Sequence, residues 1–230
     1  MDFVRTLLVF AAPAELDAGL RAFQVERPTR LWTPVPARSG VHLVQSGVGK
    51  ANAAACVAWC LSRAPFRRVI SVGIAGALPG SGLDVGDVVV ADGASLADEG
   101  VQTPDGFSDI AAMGFGPGAV AAGQTGDAIG QGVVIDCDAG VKVAGATRGV
   151  VATVSTCSGT DAAAAEIVRR TGAIAEDMES AAIGFTARRL GAGFGGVRVI
   201  SNFAGDRARQ QWNLSLALTR MSTQVATMDI

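Results

Sequence analysis

Glu176-Asp177-Met178-Glu179-Ser180-Ala181-Ala182 and, further along, Arg198-Val199-Ile200-Ser201-Asn202 decide how this chain is read. Each follows or forms a short apolar run, and each closes on polar groups. Together they place a carboxylate, a thioether and an amide at the ends of two neighbouring strands. In α/β sheets, ligands sit in the crevice outside such strand ends.

The surrounding sequence supplies the rest of such a sheet. Residues 5–11 read as a buried strand rich in Val, Leu and Phe. Residues 14–23 read as a helix, with Leu16, Leu20 and Phe23 at helical spacing and Glu15 and Asp17 in its first turn. Residues 41–45 form a second strand, 46–49 a glycine-rich turn and 50–63 an alanine-rich helix. The strand at 68–72 runs into residues 73–80, read as a glycine-rich loop, and 85–91 is again strand-like. Residues 95–130, rich in Gly, Asp, Pro and Ser, read as a long loop, which in a compact domain is often functional. Strands follow at 150–154, 173–176 and 196–201, with helices at 160–171, 178–190 and within 207–228. This alternation predicts a single α/β domain over 1–230, a three-layer α/β/α arrangement around a central twisted mixed sheet.

Composition narrows the function classes. The chain has 230 residues, 49% hydrophobic and 17% charged, enough for a sizeable core. Formal net charge is −2 and the basic residues are scattered. Neither a nucleic-acid footprint nor a polybasic membrane patch is therefore expected. No apolar stretch reaches the roughly 18 residues that span a bilayer. The apolar run at 7–13 is too short for a secretory signal, so a cytoplasmic protein is expected. Cys56, Cys60, Cys137 and Cys157 read as small core residues of a reducing compartment. With His42 the single histidine and no clustered cysteines, no metal is expected.

Five segments, taken in order, resemble the nucleoside phosphorylase/nucleosidase superfamily. They are Ser46-Gly47-Val48-Gly49-Lys50, Gly73-Ile74-Ala75-Gly76, Val85-Gly86-Asp87-Val88-Val89-Val90-Ala91-Asp92, Asp177-Met178-Glu179 and the 198–202 stretch. Within that superfamily, Pro13-Ala14-Glu15, Ala97-Asp98-Glu99-Gly100, Ser201-Asn202, Gly205-Asp206-Arg207 and Trp212-Asn213 look like the futalosine hydrolases. The resemblance implies hydrolysis of the N-glycosidic bond of futalosine, a purine nucleoside. The products would be hypoxanthine and dehypoxanthine futalosine, on the alternative route to menaquinone. Water is the implied nucleophile; no cofactor is needed, and the assembly is a homo-oligomer.

The resemblance also assigns roles. A carboxylate at Glu179 can accept both ribose hydroxyls and stabilise positive charge growing on the sugar. Met178 packs on the ribose face or belongs to the core. Glu176 and Asp177 are not read as a catalytic pair, because adjacent strand residues point to opposite faces; helix capping accounts for Asp177. Adenine-releasing nucleosidases carry aspartate where this chain has Asn202, and 6-oxopurine enzymes carry asparagine. Its NH₂ donates to O6 or N7 as the departing base gains negative charge, an effect of roughly 2.7–4 kcal/mol by analogy with single oxyanion donors, and its carbonyl can accept from N1–H or another donor. Arg198 lies near the attacking water or forms a structural ion pair. Ser201 bonds near the base or ends its strand.

Glu15 is the candidate for activating water, although one strict alignment puts Leu16 at that place. Ile74 stands where many relatives carry a hydroxyl, which leaves the backbone N–H groups of 73–76, Gly76 included, to hold ligand. Trp212 covers the 5′-substituent or sits in the core. Residues 98–115, with Glu99 and Phe107, read as a lid or subunit-contact loop, from which Phe107 could reach a neighbouring active site. Arg207 and Arg209 are candidates for a distal carboxylate on the substrate. Phosphorylases of the superfamily grip phosphate with a Gly-Asp-Pro loop and an arginine. Here Ala11-Ala12-Pro13-Ala14-Glu15 puts a carboxylate in that loop, which favours hydrolysis. A methylthioadenosine/S-adenosylhomocysteine-type nucleosidase, a 6-oxopurine nucleoside phosphorylase and a binding protein without catalysis stay open as alternatives.

Overall fold

The computed structural model describes residues 5–117 and 129–230. The chain begins β1 (Arg5–Phe10), α1 (Pro13–Phe23), β2 (Val35–Arg38), β3 (Val41–Gln45), α2 (Lys50–Leu61), β4 (Phe66–Ala77) and β5 (Val88–Leu96). Short strands follow: β6 (Gly100–Thr103), β7 (Gly106–Asp109), β8 (Gly130–Gln131) and β9 (Val134–Asp136). It ends β10 (Thr147–Thr153), α3 (Asp161–Thr171), β11 (Ala175–Asp177), α4 (Ser180–Arg189), β12 (Gly193–Phe203) and α5 (Leu214–Thr227).

The alternation of β1 explains the layering. Successive strand residues point to opposite faces. Leu7 and Val9 pack with Ala53 and Val57 of α2 and Ile183 and Ala187 of α4. Leu8 and Phe10 pack with Leu16 and Leu20 of α1 and Met221 and Val225 of α5. The sheet is thus covered on both sides, giving the α/β/α class expected.

The sheet is mixed. β1 pairs in parallel with β3 and β4, β12 with β4, and β10 with β5 and β11. β12 also runs antiparallel to β5, and β11 antiparallel to the end of β4. Through these pairings β4, β11, β10, β5 and β12 close into a ring. The closure sets Gly76 of β4 between Glu176 of β11 and Asn202 of β12.

Several boundaries differ from the sequence reading. Residues 73–77 continue β4 rather than forming a loop. Their glycines make room instead of a turn: a Cβ on Gly73 would lie 2.8 Å from Glu15 Oε1, and one on Gly76 3.3 Å from Asn202 Nδ2. Residues 95–117, read as loop, hold the end of β5 and the β6–β7 hairpin; residues 118–128 of that stretch lie outside the described residues. β2 escapes periodicity because Pro36 interrupts it, which an edge strand tolerates. α4 starts at Ser180, leaving Met178 and Glu179 in the turn before it. α5 starts at Leu214, where the Asn213 side chain accepts the Leu216 N–H at 3.0 Å. Among the described residues no helix is long and apolar enough to cross a membrane.

Candidate active site

A cavity of about 550 Å³ opens where β4, β11 and β12 meet the start of α1. Glu15, Ile74, Gly76, Met178, Glu179, Ser201, Asn202 and Trp212 all line it. Sequence positions far apart are thus brought to one place.

Glu15 sits in the first turn of α1, which Pro13 opens. Its side chain folds back, and Oε2 accepts the N–H groups of Ala11 at 3.0 Å and Ala12 at 2.8 Å. Oε1 accepts the Ile74 N–H at 2.9 Å. A carboxylate offers about four lone-pair sites, so capacity remains for a ligand or water. Leu16 is buried in the core. The one-residue ambiguity of register therefore resolves with Glu15, not Leu16, on the cavity.

Glu179 occupies the N-cap position of α4 without a side-chain capping bond, and its Oε1 accepts the Gly49 N–H at 2.8 Å from the glycine-rich turn before α2. Burial, together with the charges of Asp177 and Glu15, pushes its carboxyl up to about 7, against the Gly49 bond and the Arg198 guanidinium. Its ionisation is thus poised near neutrality.

Asn202 is 4% exposed. Its Oδ1 accepts from Ser201 Oγ at 2.9 Å and its Nδ2 donates to Phe203 O at 3.1 Å. The amide is fixed with one N–H left to donate. Ser201, whose hydroxyl also lies 3.2 Å from Ala75 O, orients Asn202.

Two expected site residues are not among the cavity's lining. Arg198, 2% exposed, lies beneath the floor. It donates from Nε to Asp177 Oδ2 at 2.7 Å, from Nη2 to Ser71 Oγ at 2.6 Å and from Nη1 to Val197 O at 2.9 Å. Of its two readings, the structural ion pair is the one the geometry shows. Asp177 likewise does more than cap α4: it also accepts from Thr153 Oγ1 at 2.6 Å. Phe107 sits on the β6–β7 hairpin under the Arg170 guanidinium, 4.2 Å from its ring centroid, and does not line its own chain's cavity. Glu99 and Asp98 pair with Lys50 at the start of α2, and Asp98 also accepts the Ser155 N–H at 2.6 Å.

Trp212 is 45% exposed and forms a cavity wall rather than core, with the Arg207 guanidinium 5.2 Å from its ring centroid. Arg207 lines the cavity and donates to Gln210 Oε1 at 2.9 Å. Arg209 is paired with Asp161 and Asp206 and faces an adjoining cavity of about 520 Å³ beyond Trp212.

Sequence reasoning passed over Glu176 as a site residue. It is buried and lines the cavity, where Ser158 donates its N–H to Oε1 at 2.8 Å and its hydroxyl to Oε2 at 2.5 Å. Burial raises its pKa against those two bonds. Gln210 Nε2 in turn donates to Ser158 O at 3.3 Å. The available signal was an acidic residue in the middle of a short buried strand, which needs a partner or a ligand.

Residues 9–228 match the family model described as the phosphorylase superfamily. The chain is 35% identical to a futalosine hydrolase from Acidothermus cellulolyticus over 229 residues, covering 98% of this chain and 90% of the relative. It is 34% identical to one from Streptomyces coelicolor, covering 96% and 94%. In fold it is similar to a 5′-methylthioadenosine/S-adenosylhomocysteine nucleosidase from Neisseria meningitidis, with a TM-score of 0.74, 22% identity and 97% of each chain covered.

Proposed function

This chain belongs to the phosphorylase superfamily and is a nucleosidase-type hydrolase, and from that premise we propose that it cleaves futalosine to hypoxanthine and dehypoxanthine futalosine. On this reading it is a cytoplasmic homo-oligomer serving the alternative route to menaquinone.

The observation that carries hydrolysis is the seat of Glu15. Three backbone N–H groups, of Ala11, Ala12 and Ile74, converge on its carboxylate. Convergent backbone donors of this kind bind anions such as phosphate. Here the protein's own anion fills them, which disfavours a phosphate nucleophile and leaves a base beside the sugar for water. General-base help of this kind contributes typically 10²–10⁴-fold.

The other groups take complementary roles. Glu179 accepts the ribose hydroxyls, and its negative charge stabilises the sugar as it turns cationic. Met178 packs on the ribose face. Asn202 donates its remaining N–H to the O6/N7 edge of the leaving base, where negative charge gathers. Trp212 and Arg207 flank the 5′-substituent, Arg207 offering a guanidinium to its carboxylate. The adenine-releasing alternative differs at the base: an amide at 202 needs no protonation to donate, whereas an aspartate does.

The test is purified protein with futalosine in phosphate-free buffer, following released base by chromatography. Hypoxanthine release is expected. Release only with added phosphate would make the enzyme a phosphorylase, and release of adenine from methylthioadenosine with futalosine untouched would replace the substrate.

A further inference from the structure

Gly76 pairs with Glu176 on one edge of β4 and with Asn202 on the other. Residues paired across neighbouring strands point to the same face of a sheet. Both side chains therefore rise on the cavity side, about 10 Å apart at the backbone, with a residue lacking a side chain between them. Resting on the reading that a purine nucleoside occupies this cavity, we propose that Glu176 is the specificity-determining residue for the base: its carboxylate accepts the N1–H of a 6-oxopurine whose O6/N7 edge is held by Asn202.

The hydrogen-bond pattern sets the polarity of this contact. Ser158 uses both its N–H and its hydroxyl as donors to the two oxygens of Glu176. Burial raises the pKa of this carboxyl, and the two Ser158 donors oppose it by favouring the ionised form, which is acceptor-only. Hypoxanthine presents a donor at N1. A 6-aminopurine presents a bare lone pair there, which the carboxylate repels. A site built to bond a donor rejects an analogue that lacks it, because a buried polar group is left unpaired. Asn202 reads O6 and N7, whereas Glu176 reads whether N1 carries a proton, and the two together distinguish 6-oxo from 6-amino bases.

The experiment measures binding of hypoxanthine, 1-methylhypoxanthine and adenine by calorimetry to wild type, Glu176→Gln and Ser158→Ala, alongside turnover of futalosine and its 6-amino analogue. Wild type is expected to bind hypoxanthine at least 10-fold tighter than either other base. Glu176→Gln should shrink both ratios to within about 3-fold and lower kcat/KM for futalosine more than for the 6-amino analogue. Ser158→Ala, which keeps the carboxylate but removes one donor, should give an intermediate ratio. Unaltered ratios in Glu176→Gln, or equal losses on both substrates, would overturn the assignment while leaving hydrolysis intact. Equal binding of hypoxanthine and 1-methylhypoxanthine by wild type would overturn it without any variant. Failure of wild type to bind any purine base or to cleave either nucleoside would instead remove the purine reading and this inference with it.

Discussion

Replacing Glu179 with glutamine is expected to abolish most turnover yet stabilise the fold at alkaline pH. Burial beside Asp177 and Glu15 raises this carboxyl from 4.5 to about 7. At about 1.36 kcal/mol per pKa unit, keeping it ionised in the folded protein costs about 3 kcal/mol. The sign follows from the direction. With the folded pKa above the unfolded one, the folded state holds the proton more tightly, so stability declines as pH rises from 4.5 through about 7. Glutamine imitates the protonated form and escapes that decline. Glu179→Gln should therefore exceed wild type by up to about 3 kcal/mol at pH 8, roughly 6–12 °C in Tm for a chain of this size. The gap should vanish near pH 4.5. Calorimetric or denaturant-derived stability at pH 5, 6.5 and 8 reads it directly. In parallel, wild-type kcat/KM should fall on the acid side of about pH 7 as Glu179 takes up a proton. The variant should lose roughly 10²–10³-fold in kcat, the scale of one removed electrostatic stabiliser. A variant less stable than wild type at pH 8, or a gap independent of pH, would refute the account of a strained, buried carboxylate.

Three further outcomes follow from the geometry. Asn202→Asp should lower kcat/KM on futalosine at least about 10-fold, since a fixed donor to the leaving base is lost; an unchanged value in steady-state assays contradicts the role. Arg198→Met should destabilise the protein by about 3–5 kcal/mol, because it leaves Asp177 buried without its cation; a urea midpoint close to wild type would show the ion pair to be dispensable. Gly73→Ala places a Cβ 2.8 Å from Glu15 Oε1. It should displace that carboxylate from the Ile74 N–H and cut kcat by about 10-fold or more with KM little changed; full activity would argue against Glu15 as the base.

The sequence made the layers legible because their cause is local. Apolar alternation in β1 and helical spacing in α1 survive into the fold as the two faces of one core. The ring closure was not legible, since it depends on β12 and β11 each pairing on a second edge, a long-range choice with no local signature. Gly73 and Gly76 misled for a related reason. Glycine usually punctuates a turn, but here it is required by side chains from α1 and β12 that arrive from distant sequence. Arg198 could be placed on its strand, but not assigned between water and ion pair. That depended on the position of Asp177, a neighbour in space rather than in sequence.

The charge around the cavity argues for one class of reaction over another. The carboxylates of Glu15, Glu176 and Glu179 belong to residues that line it, and that of Asp177 is fully buried beside them. Asp177 is balanced by Arg198 from beneath and Glu176 by two neutral Ser158 donors, while Glu15 and Glu179 rest on backbone N–H groups. Burial first, and then the charges of Asp177 and Glu15, raise the pKa of Glu179. Such a site is unfavourable for an empty ground state and for an anionic nucleophile. It becomes favourable once the sugar acquires positive charge, because the repulsion among the carboxylates is then relieved by the reacting atoms. Interactions that strengthen only as the bond breaks accelerate the chemistry rather than merely binding substrate. A neutral nucleophile suits that field, and phosphate does not, which supports the proposed hydrolysis through a cation-like transition state.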